Sequence, residues 1–159
     1  DADTNYNHLE IPFLLEMMTT PDPKTGKLPD VATGSPFHPD GYRAGFPWYR
    51  FLFSISVFHL YKWALAGHCC VHTMTCGFRA YRQEVLPKII SESDDFLATA
   101  EMLVNAMRHN LTIVEYPTTV TDRRFGRSKL PTLRMIRRHL GLIGKVWKET
   151  RTNRFLRSV

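Results

Sequence analysis

The sequence predicts a folded chain that mixes α-helices with short β-strands. Hydrophobic residues make up 43% of its 159 residues and include ten phenylalanines, a composition that excludes an intrinsically disordered chain. Segments with apolar residues at helical spacing are separated by short runs rich in valine, threonine and aromatic residues, which favour strands. The chain is long enough to bury the core of one domain.

The N-terminal half is predicted to contain two helices and one strand. Residues 8–18 place apolar side chains on one helical face, and residues 19–29 form a turn-rich loop with several prolines. Residues 30–35 fit a short strand that ends in a glycine turn. Residues 36–47 are rich in proline and glycine and are expected to form a loop, which a long helix over residues 48–66 follows.

That helix is not expected to span a membrane. The richest apolar stretch, residues 51–71, is interrupted by His59, Lys62 and His68. A spanning helix needs about 20 mostly apolar residues, and a central lysine costs about 3 kcal/mol. A half-buried helix with Lys62 on its solvent side is favoured.

The C-terminal half begins with residues 69–81, which are rich in β-branched and aromatic residues and are expected to be extended. Helices are predicted over residues 83–90 and 95–109, the second after a Ser-Asp-Asp sequence that can cap it and complement its dipole. Residues 111–120 alternate enough to form a strand with a proline at an edge.

Positive charge is concentrated at the end of the chain. Residues 1–119 hold 13 acidic and 9 basic side chains, whereas residues 120–159 hold 2 acidic and 12 basic ones. Such a segment is expected to face phosphates: lipid headgroups, a substrate phosphate or nucleic acid.

A final helix over residues 131–150 is predicted to be amphipathic. Its apolar stripe comprises Leu133, Ile136, Leu140, Ile143 and Trp147, flanked by Met135, Leu142 and Val146. Its basic arc comprises Arg134, Arg137, Arg138, Lys145 and Lys148. Two interpretations stay open: a helix that lies in a membrane interface, or a terminal helix that packs on the domain with a solvated basic back.

The first residues of the chain can hold a divalent cation. Asp1, Asp3 and Asn5 present oxygen ligands at alternate positions, so an extended segment would aim all three the same way. Hard oxygen ligands suit Mg²⁺ or Mn²⁺. A calcium loop is excluded because Tyr6 and Pro12 stand where it needs glycine and glutamate. The alternative is a solvated loop.

A second segment can bind phosphate oxygens. Arginine gives bidentate contacts, glycine lets the backbone approach closely, and serine adds a hydroxyl. The alternative is an ordinary basic loop before a basic helix. The residues concerned are Arg123, Arg124, Gly126, Arg127, Ser128 and Lys129.

The cysteines favour a reducing compartment. Cys69, Cys70 and Cys76 are odd in number, lack a disulfide framework and lack Cys-x-x-Cys spacing. A zinc site with His68 and His72 is the alternative to buried thiols in a strand, which would splay adjacent cysteines to opposite faces. No signal peptide is visible.

Few other groups suggest catalysis. Glu101 falls within the helix predicted over residues 95–109, beside apolar neighbours, and both a satisfied core carboxylate and an active-site group are open for it. The sequence has no recognisable Ser-His-Asp arrangement and no phosphate-loop glycine motif.

Five segments, in order, resemble a known family. They are Asp-Ala-Asp at 1–3, Asp-Val-Ala-Thr-Gly-Ser at 30–35, Cys-Gly-Phe-Arg-Ala-Tyr-Arg at 76–82, Glu-Tyr-Pro at 115–117, and Asp-Arg-Arg-Phe-Gly-Arg-Ser-Lys-Leu at 122–130. Together they resemble the family 2 glycosyltransferases, most of all the polyprenyl-phosphate (dolichol-phosphate) mannosyltransferase-like branch. The resemblance extends to about residue 148.

The resemblance implies a GT-A fold, the α/β sandwich of nucleotide-diphospho-sugar transferases, with Asp-x-Asp at the end of a central strand. Residues 1–130 would then be part of a GT-A domain without its N-terminal nucleotide-binding strands, and residues 131–159 a basic amphipathic helix and tail. The chain also lacks an initiator Met, so we expect a missing N-terminal half, or a partner chain that supplies it. This piece alone would be impaired and would expose a sheet edge.

The implied activity is an inverting transfer of sugar from a GDP- or UDP-linked nucleotide sugar to a polyprenyl phosphate or similar membrane-associated acceptor. Mg²⁺ or Mn²⁺ would assist. The enzyme would be cytoplasmic and peripheral, at the inner face of a membrane, and nucleic acid is not an expected partner.

The resemblance also assigns residues. The metal ligands would be Asp1, Asp3 and Asn5, and the catalytic residues Asp1, Asp3, Arg123 and Lys129. Donor phosphates would contact Arg50, Arg123, Arg124, Gly126, Ser128 and Lys129. The acceptor or sugar pocket would comprise Gly77, Phe78, Arg79 and Glu101.

Three positions depart from the family pattern. Pro36 stands where an arginine is common, so that phosphate contact is lost or supplied by His38 or Arg43. Thr73 replaces an aspartate, and Cys76 a serine. These departures concern specificity for a lipid phosphate more than glycosyl transfer.

Two other classes of function stay open. A non-catalytic basic module would bind anionic lipid or nucleic acid through residues 120–159. A zinc-binding structural domain would hold its metal through Cys69, Cys70 or Cys76.

Overall fold

The computed structural model describes residues 6–45, 48–121 and 132–152. Its helices are α1 Ile11–Met17, α2 Trp48–Ala64, α3 Leu86–Ile89, α4 Leu97–Arg108 and α5 Thr132–Arg151. Its strands are β1 Val31–Ser35, β2 Tyr42–Ala44, β3 Arg79–Tyr81, β4 Ile113–Pro117 and β5 Thr119–Thr121. Single 3₁₀ turns, His8–Glu10 and Gln83–Val85, precede α1 and α3.

The main sheet has three strands in the order β3-β1-β4. β1 pairs antiparallel with β3 and parallel with β4, so that Val31 lies opposite both Tyr81 and Ile113. All five residues of β1 are buried, as expected for a central strand. Within the described residues, β3 and β4 are therefore the edges of this sheet, while β2 and β5 pair in parallel as a second, two-stranded sheet.

Helices cover both faces of the main sheet because successive side chains of β1 point in opposite directions. Val31 packs with Ile89 of α3 and Ala106 of α4. Ala32 packs with Leu14 and Met18 at α1. The described chain is thus a mixed α/β structure built in layers.

A larger apolar core lies between α2, α4 and α5. Its fully buried side chains include Tyr61 and Leu65 at α2, Leu103 and Val104 of α4, and Val146 of α5. Burial of each side chain of leucine or valine size stabilises the fold by about 1.5–3 kcal/mol. Lys62 lies on the exposed side of α2, as the sequence predicts.

The observed helix ends have local causes. Beyond α2, Ala66 and Gly67 have φ of 46° and 97°, a left-handed conformation that stops a helix. Beyond α4, Asn110 has φ of 51° and serves the same purpose. At the start of α4 the N-cap residue is Phe96, which makes no side-chain cap bond, and the Asp95 Oδ1 atom accepts a hydrogen bond of 3.0 Å from the Leu97 backbone N–H instead.

The prediction of an extended segment over residues 69–81 is wrong for most of its length. Only Arg79–Tyr81 is a strand. The preceding residues form irregular backbone whose Val71 and Met74 side chains enter the helical core. Tertiary packing overrides the local β propensity of this segment.

Two smaller predictions also need correction. The loop predicted over residues 36–47 contains β2, which pairs with β5. The single strand predicted over residues 111–120 is divided at Thr118 into β4 and β5, which belong to different sheets. The Thr118 carbonyl accepts a hydrogen bond from the Tyr42 N–H at 3.2 Å, which joins the second sheet there.

Helix α5 buries a face other than the predicted stripe. Leu133 and Leu140 are 84% and 51% exposed. The buried residues are Met135, His139, Leu142, Ile143 and Val146. Two ion pairs, Arg138 with Asp95 and Glu149 with Arg108 at the two ends of α4, accompany this orientation of the helix.

Across the described ranges, no helix combines the length and apolarity needed to cross a bilayer.

Candidate functional site

Most of the predicted site residues lie outside the described residues. These are Asp1, Asp3, Asn5, Arg123, Arg124, Gly126, Ser128 and Lys129. Arg50 belongs to the first turn of α2, but its side chain is outside the description as well. Their roles therefore remain predictions, and the described site residues are Gly77, Phe78, Arg79 and Glu101.

The acidic and basic segments join the described fold at neighbouring points. Tyr6, which follows the acidic segment directly, forms an antiparallel β-bridge with Val120. Val120 lies two residues before Asp122, where the basic segment begins. The Tyr6 ring also stacks on Phe78, with ring centroids 5.6 Å apart and planes inclined by 11°. A predicted pocket residue therefore lies where both segments meet the fold.

Gly34 makes room for Phe78 at this point. A Cβ atom at Gly34 would lie 2.7 Å from the Phe78 Cδ1 atom and 3.3 Å from its carbonyl oxygen. The Gly34 N–H donates a hydrogen bond of 2.7 Å to that same carbonyl. The Gly-Ser and Gly-Phe-Arg segments, which the sequence singles out separately, are thus in direct contact.

Arg79 connects three parts of the fold. Its Nε atom donates to the Thr33 hydroxyl at 3.1 Å, and one terminal nitrogen donates to the Met74 carbonyl at 2.9 Å. The other terminal nitrogen donates to the Thr99 carbonyl. The guanidinium therefore holds the irregular 69–78 segment and α4 against β1, a structural role that the sequence alone does not reveal.

Glu101 is hydrogen-bonded on both carboxylate oxygens. Ser93 donates through its hydroxyl at 2.9 Å and its N–H at 3.1 Å, and the Ser91 hydroxyl donates as well. Burial opposes ionisation of Glu101, but these hydrogen bonds outweigh it and hold its pKa below the ordinary value. Of the two interpretations open from the sequence, these contacts favour the satisfied carboxylate.

A carboxylate–imidazole pair is the feature that the sequence predictions miss. Glu115 lies on β4 opposite Thr33 of β1. Its Oε1 atom accepts from the His72 backbone N–H at 2.6 Å, and its Oε2 atom lies 2.5 Å from His72 Nδ1. The His72 ring also contacts Phe58 and the edge of His38, with centroids 6.2 and 5.6 Å away. The two residues lie 43 positions apart, and no local pattern could have linked them.

Arg43 contacts Pro36, one of the positions that depart from the family pattern. One guanidinium nitrogen donates to the Pro36 carbonyl at 2.8 Å. The guanidinium carbon lies 5.1 Å from the Phe37 ring centroid and 5.4 Å from that of Phe51, within cation–π range. A held cation is therefore present next to Pro36, and the substitution of Arg43 for the missing arginine stays a prediction.

The described residues do not support a zinc site. None of their His, Cys, Asp and Glu side chains form a group of three that could hold a metal ion. Cys76 is 1% exposed, and burial raises the pKa of its thiol, which disfavours the thiolate that zinc requires.

Comparisons with known proteins give an informative similarity. No protein-family model matches the chain. The chain is similar to polyprenol monophosphomannose synthase from Mycolicibacterium smegmatis, with 35% identity over 104 residues, which cover 64% of this chain and 38% of that protein. The match thus spans less than half of the relative. It agrees with the branch of glycosyltransferases that the sequence motifs resemble.

Proposed function

We propose that this chain is part of a glycosyltransferase that moves a sugar from a nucleoside-diphosphate donor to a polyprenyl phosphate. The observation that carries the proposal is the junction of Tyr6, Val120 and Phe78, where the acidic and basic segments join the fold side by side. The similarity to a polyprenol monophosphomannose synthase supports mannose as the sugar. A GT-A arrangement and inversion at the anomeric carbon belong to the same proposal.

The reaction does not need a strong general base, because a phosphate acceptor is already anionic at neutral pH. The negative charge that develops on the departing diphosphate must be stabilised, and preorganised cations do this most effectively. Arg123, Arg124 and Lys129 would provide them. Phe78 and Gly77 would form the wall against which the sugar lies.

A divalent cation would complete the donor site. Asp1, Asp3 and Asn5 offer the hard oxygen ligands that Mg²⁺ and Mn²⁺ prefer. The ion would supply further positive charge next to the diphosphate. Since no three metal-binding side chains converge among the described residues, those at the start of the chain are the candidates.

Helices α2 and α5 offer a surface for a membrane. Leu52, Leu60 and Trp63 of α2, and Leu133 and Leu140 of α5, are exposed, and we call them the α2/α5 apolar surface. The exposed basic side chains of α5 are Arg134, Arg137, Lys145 and Lys148. Apolar and cationic side chains on one helix are typical of peripheral attachment to anionic lipid. A protein attached through this surface would have access to a polyprenyl phosphate in the membrane.

The decisive test is turnover by the native protein that contains this chain. Sugar transfer to polyprenyl phosphate would be assayed over a panel of GDP- and UDP-linked sugars with Mn²⁺ or Mg²⁺. We expect transfer from a mannosyl nucleotide, and its loss by at least about a hundredfold in Asp3→Asn, because one carboxylate of the metal site is removed. Asp94→Asn, at an exposed position, is the matched control and should leave turnover unchanged.

The same variants separate the proposal from a non-catalytic basic module. Such a module would bind anionic lipid equally well in the native protein and in the Asp3→Asn variant, and no donor would be consumed. Lipid binding without turnover over the whole panel would favour the module.

A further inference from the structure

The His72–Glu115 pair combines a buried carboxylate with an exposed imidazole, as expected of a group that binds a ligand. Glu115 is a largely buried carboxylate, with 7% of its side chain exposed, whereas 46% of the His72 side chain is exposed. Both carboxylate oxygens of Glu115 contact His72: Oε1 accepts a hydrogen bond from the backbone N–H, and Oε2 lies beside the ring nitrogen Nδ1. The carboxylate therefore fixes the position and the orientation of one accessible imidazole.

This arrangement determines which ring nitrogen is available. A carboxylate beside Nδ1 accepts a hydrogen bond from it, so the proton of the pair lies on that nitrogen. No described residue forms a hydrogen bond with Nε2 of His72, so this nitrogen can serve a ligand. Phe58 on one side and His38 on another limit how the ring can turn.

The segment that carries His72 reaches the carboxyl end of β1 through Thr73, whereas Glu115 lies in the middle of β4. β1 and β4 are parallel, and ligand sites of such sheets lie beyond the carboxyl ends of the strands. The hydroxyl of Ser35, the last residue of β1, forms a hydrogen bond of 2.8 Å with the hydroxyl of Thr73. The next residue, Pro36, accepts a hydrogen bond from Arg43. Arg43 therefore contacts the loop that follows β1, and His38 of the same loop contacts the His72 ring.

We propose that His72, held by Glu115, is a phosphate-binding residue whose Nε2–H group donates to a phosphate oxygen, with Arg43 as a second cation. Glu115 acts as a positioning residue. The inference rests on the proposed function for its biological meaning, and the phosphate is that of the lipid acceptor or of the donor diphosphate. Donation from Nε2 as well as from Nδ1 means that the phosphate-bound ring carries a proton on each nitrogen.

The other titratable groups near the pair are His38, whose ring contacts that of His72, Asp40 beside His38, and Cys69 and Cys70 on the chain before His72. On α2, Lys62 and His59 contact Phe58. Asp40 lies 3.5 Å from His38 Nδ1, so His38 has its own carboxylate. Of the two imidazoles, His72 is the one fixed by a buried carboxylate.

The test is direct binding of inorganic phosphate, and of inorganic pyrophosphate in a parallel arm, by the native protein. Side-chain ¹⁵N signals of His72 are followed by NMR from pH 5.5 to 8.5, with chloride as the reference anion. We expect phosphate to perturb the Nε2 signal and chloride to leave it unchanged. His72→Gln should weaken affinity about tenfold at the acidic end, the loss expected for one hydrogen bond to a charged group.

The controls isolate the role of each residue. His59→Gln removes another exposed histidine and should bind phosphate as the native protein does. Glu115→Gln keeps a hydrogen-bond acceptor but removes one of the two carboxylate oxygens that hold His72, so phosphate affinity should fall towards that of His72→Gln. Phosphate itself gains charge as the pH rises, and the comparison is therefore made between variants at each pH.

Each outcome bears on the inference separately from the sugar-transfer assay. An unperturbed His72 signal in the native protein would overturn it, even where a variant failed to fold. Equal affinities of the native protein and His72→Gln at acidic pH would overturn it too. Phosphate binding at His72 without sugar transfer would sustain it while the proposed function failed. Stronger binding of phosphate than of pyrophosphate would assign the subsite to the acceptor, and the reverse to the donor.

Discussion

Two positions that depart from the family pattern are neighbours in the fold. Pro36 directly follows Ser35, and the Ser35 hydroxyl is hydrogen-bonded to that of Thr73. By the resemblance, an arginine and an aspartate would stand at positions 36 and 73. Loss of either one would leave the other charge buried or poorly paired, which is costly, whereas loss of both removes the problem. In this chain neither charge is present at the two positions, and the Thr73 hydroxyl contacts that of Ser35.

Glycine at position 34 is required by the approach of Phe78. In Gly34→Ala the new Cβ atom would meet Phe78 Cδ1 at 2.7 Å, so we expect a loss of about 1–3 kcal/mol in the free energy of unfolding. A Cβ atom at Gly141 of α5 would meet nothing within 4 Å, and Gly141→Ala should stabilise by about 0.5–1 kcal/mol through helix propensity. Urea unfolding curves measure both. Equal effects of the two substitutions would contradict this account of Gly34.

His139 should make stability fall on mild acidification. It is 2% exposed, its Nδ1 atom lies 3.1 Å from the Tyr61 hydroxyl, and burial lowers its pKa. Below the ordinary histidine pKa of about 6.5 the unfolded chain takes up a proton that the folded chain does not, so stability decreases as the pH falls. The slope can reach about 1.4 kcal/mol per pH unit.

The prediction is checked by urea unfolding between pH 5 and pH 7.5, above the range in which carboxylates titrate. His139→Gln should flatten the dependence in that window, since it removes the titrating ring but can keep a contact with Tyr61. An unchanged slope in the variant would assign the effect to other groups.

At the scale of elements, charge pairs accompany the orientation of α5 on the domain. Arg138 contacts the Asp95 carboxylate and donates to the Ser93 hydroxyl at 3.0 Å. Both charged side chains are partly exposed, at 30% and 27%, so we expect a coupling of about 1 kcal/mol in a double-mutant cycle of Arg138→Met and Asp95→Asn. Arg137→Met, at an exposed position, is the control and should not couple to Asp95. A coupling near zero would mean that apolar packing alone orients the helix.

The α2/α5 apolar surface predicts which leucines contribute to membrane binding. Leu133→Asp and Leu140→Asp should each reduce binding to vesicles of anionic lipid at least about tenfold, because a charge replaces an apolar contact with the bilayer. Both positions are exposed, so the fold should tolerate them. Leu28→Asp changes a leucine that is 47% exposed on another part of the surface and should leave vesicle sedimentation unchanged. A loss of binding with Leu28→Asp as well would point to general electrostatic repulsion.

At the scale of the whole molecule, the sequence predicts elements whose cause is local and misses those whose cause is distant. Helix α2 and strand β1 follow from apolar runs and glycine turns within the segment. The irregular segment before β3 does not, because Arg79 and Glu115 hold it through contacts with Met74 and His72. The division at Thr118 likewise depends on pairing with β2. The same reason explains why the motif residues could be recognised, while the His72–Glu115 pair could not.

The junction of Tyr6 with Val120 is the part of the architecture on which the proposed site most depends, and a disulfide can test it. Antiparallel partners lie about 4.5–5.5 Å apart between Cα atoms, a separation that a disulfide can span. Tyr6→Cys with Val120→Cys should therefore cross-link on mild oxidation and raise the free energy of unfolding by up to about 5 kcal/mol, because it closes a long loop. The native cysteines are first replaced, because Cys76 lies within hydrogen-bonding distance of the Tyr6 side chain and would compete for the thiol introduced at position 6. Sugar transfer should survive the cross-link, because it fixes a contact that the folded protein already has. Failure to cross-link in the folded protein would separate the acidic segment from the basic one and remove the basis for a shared diphosphate site.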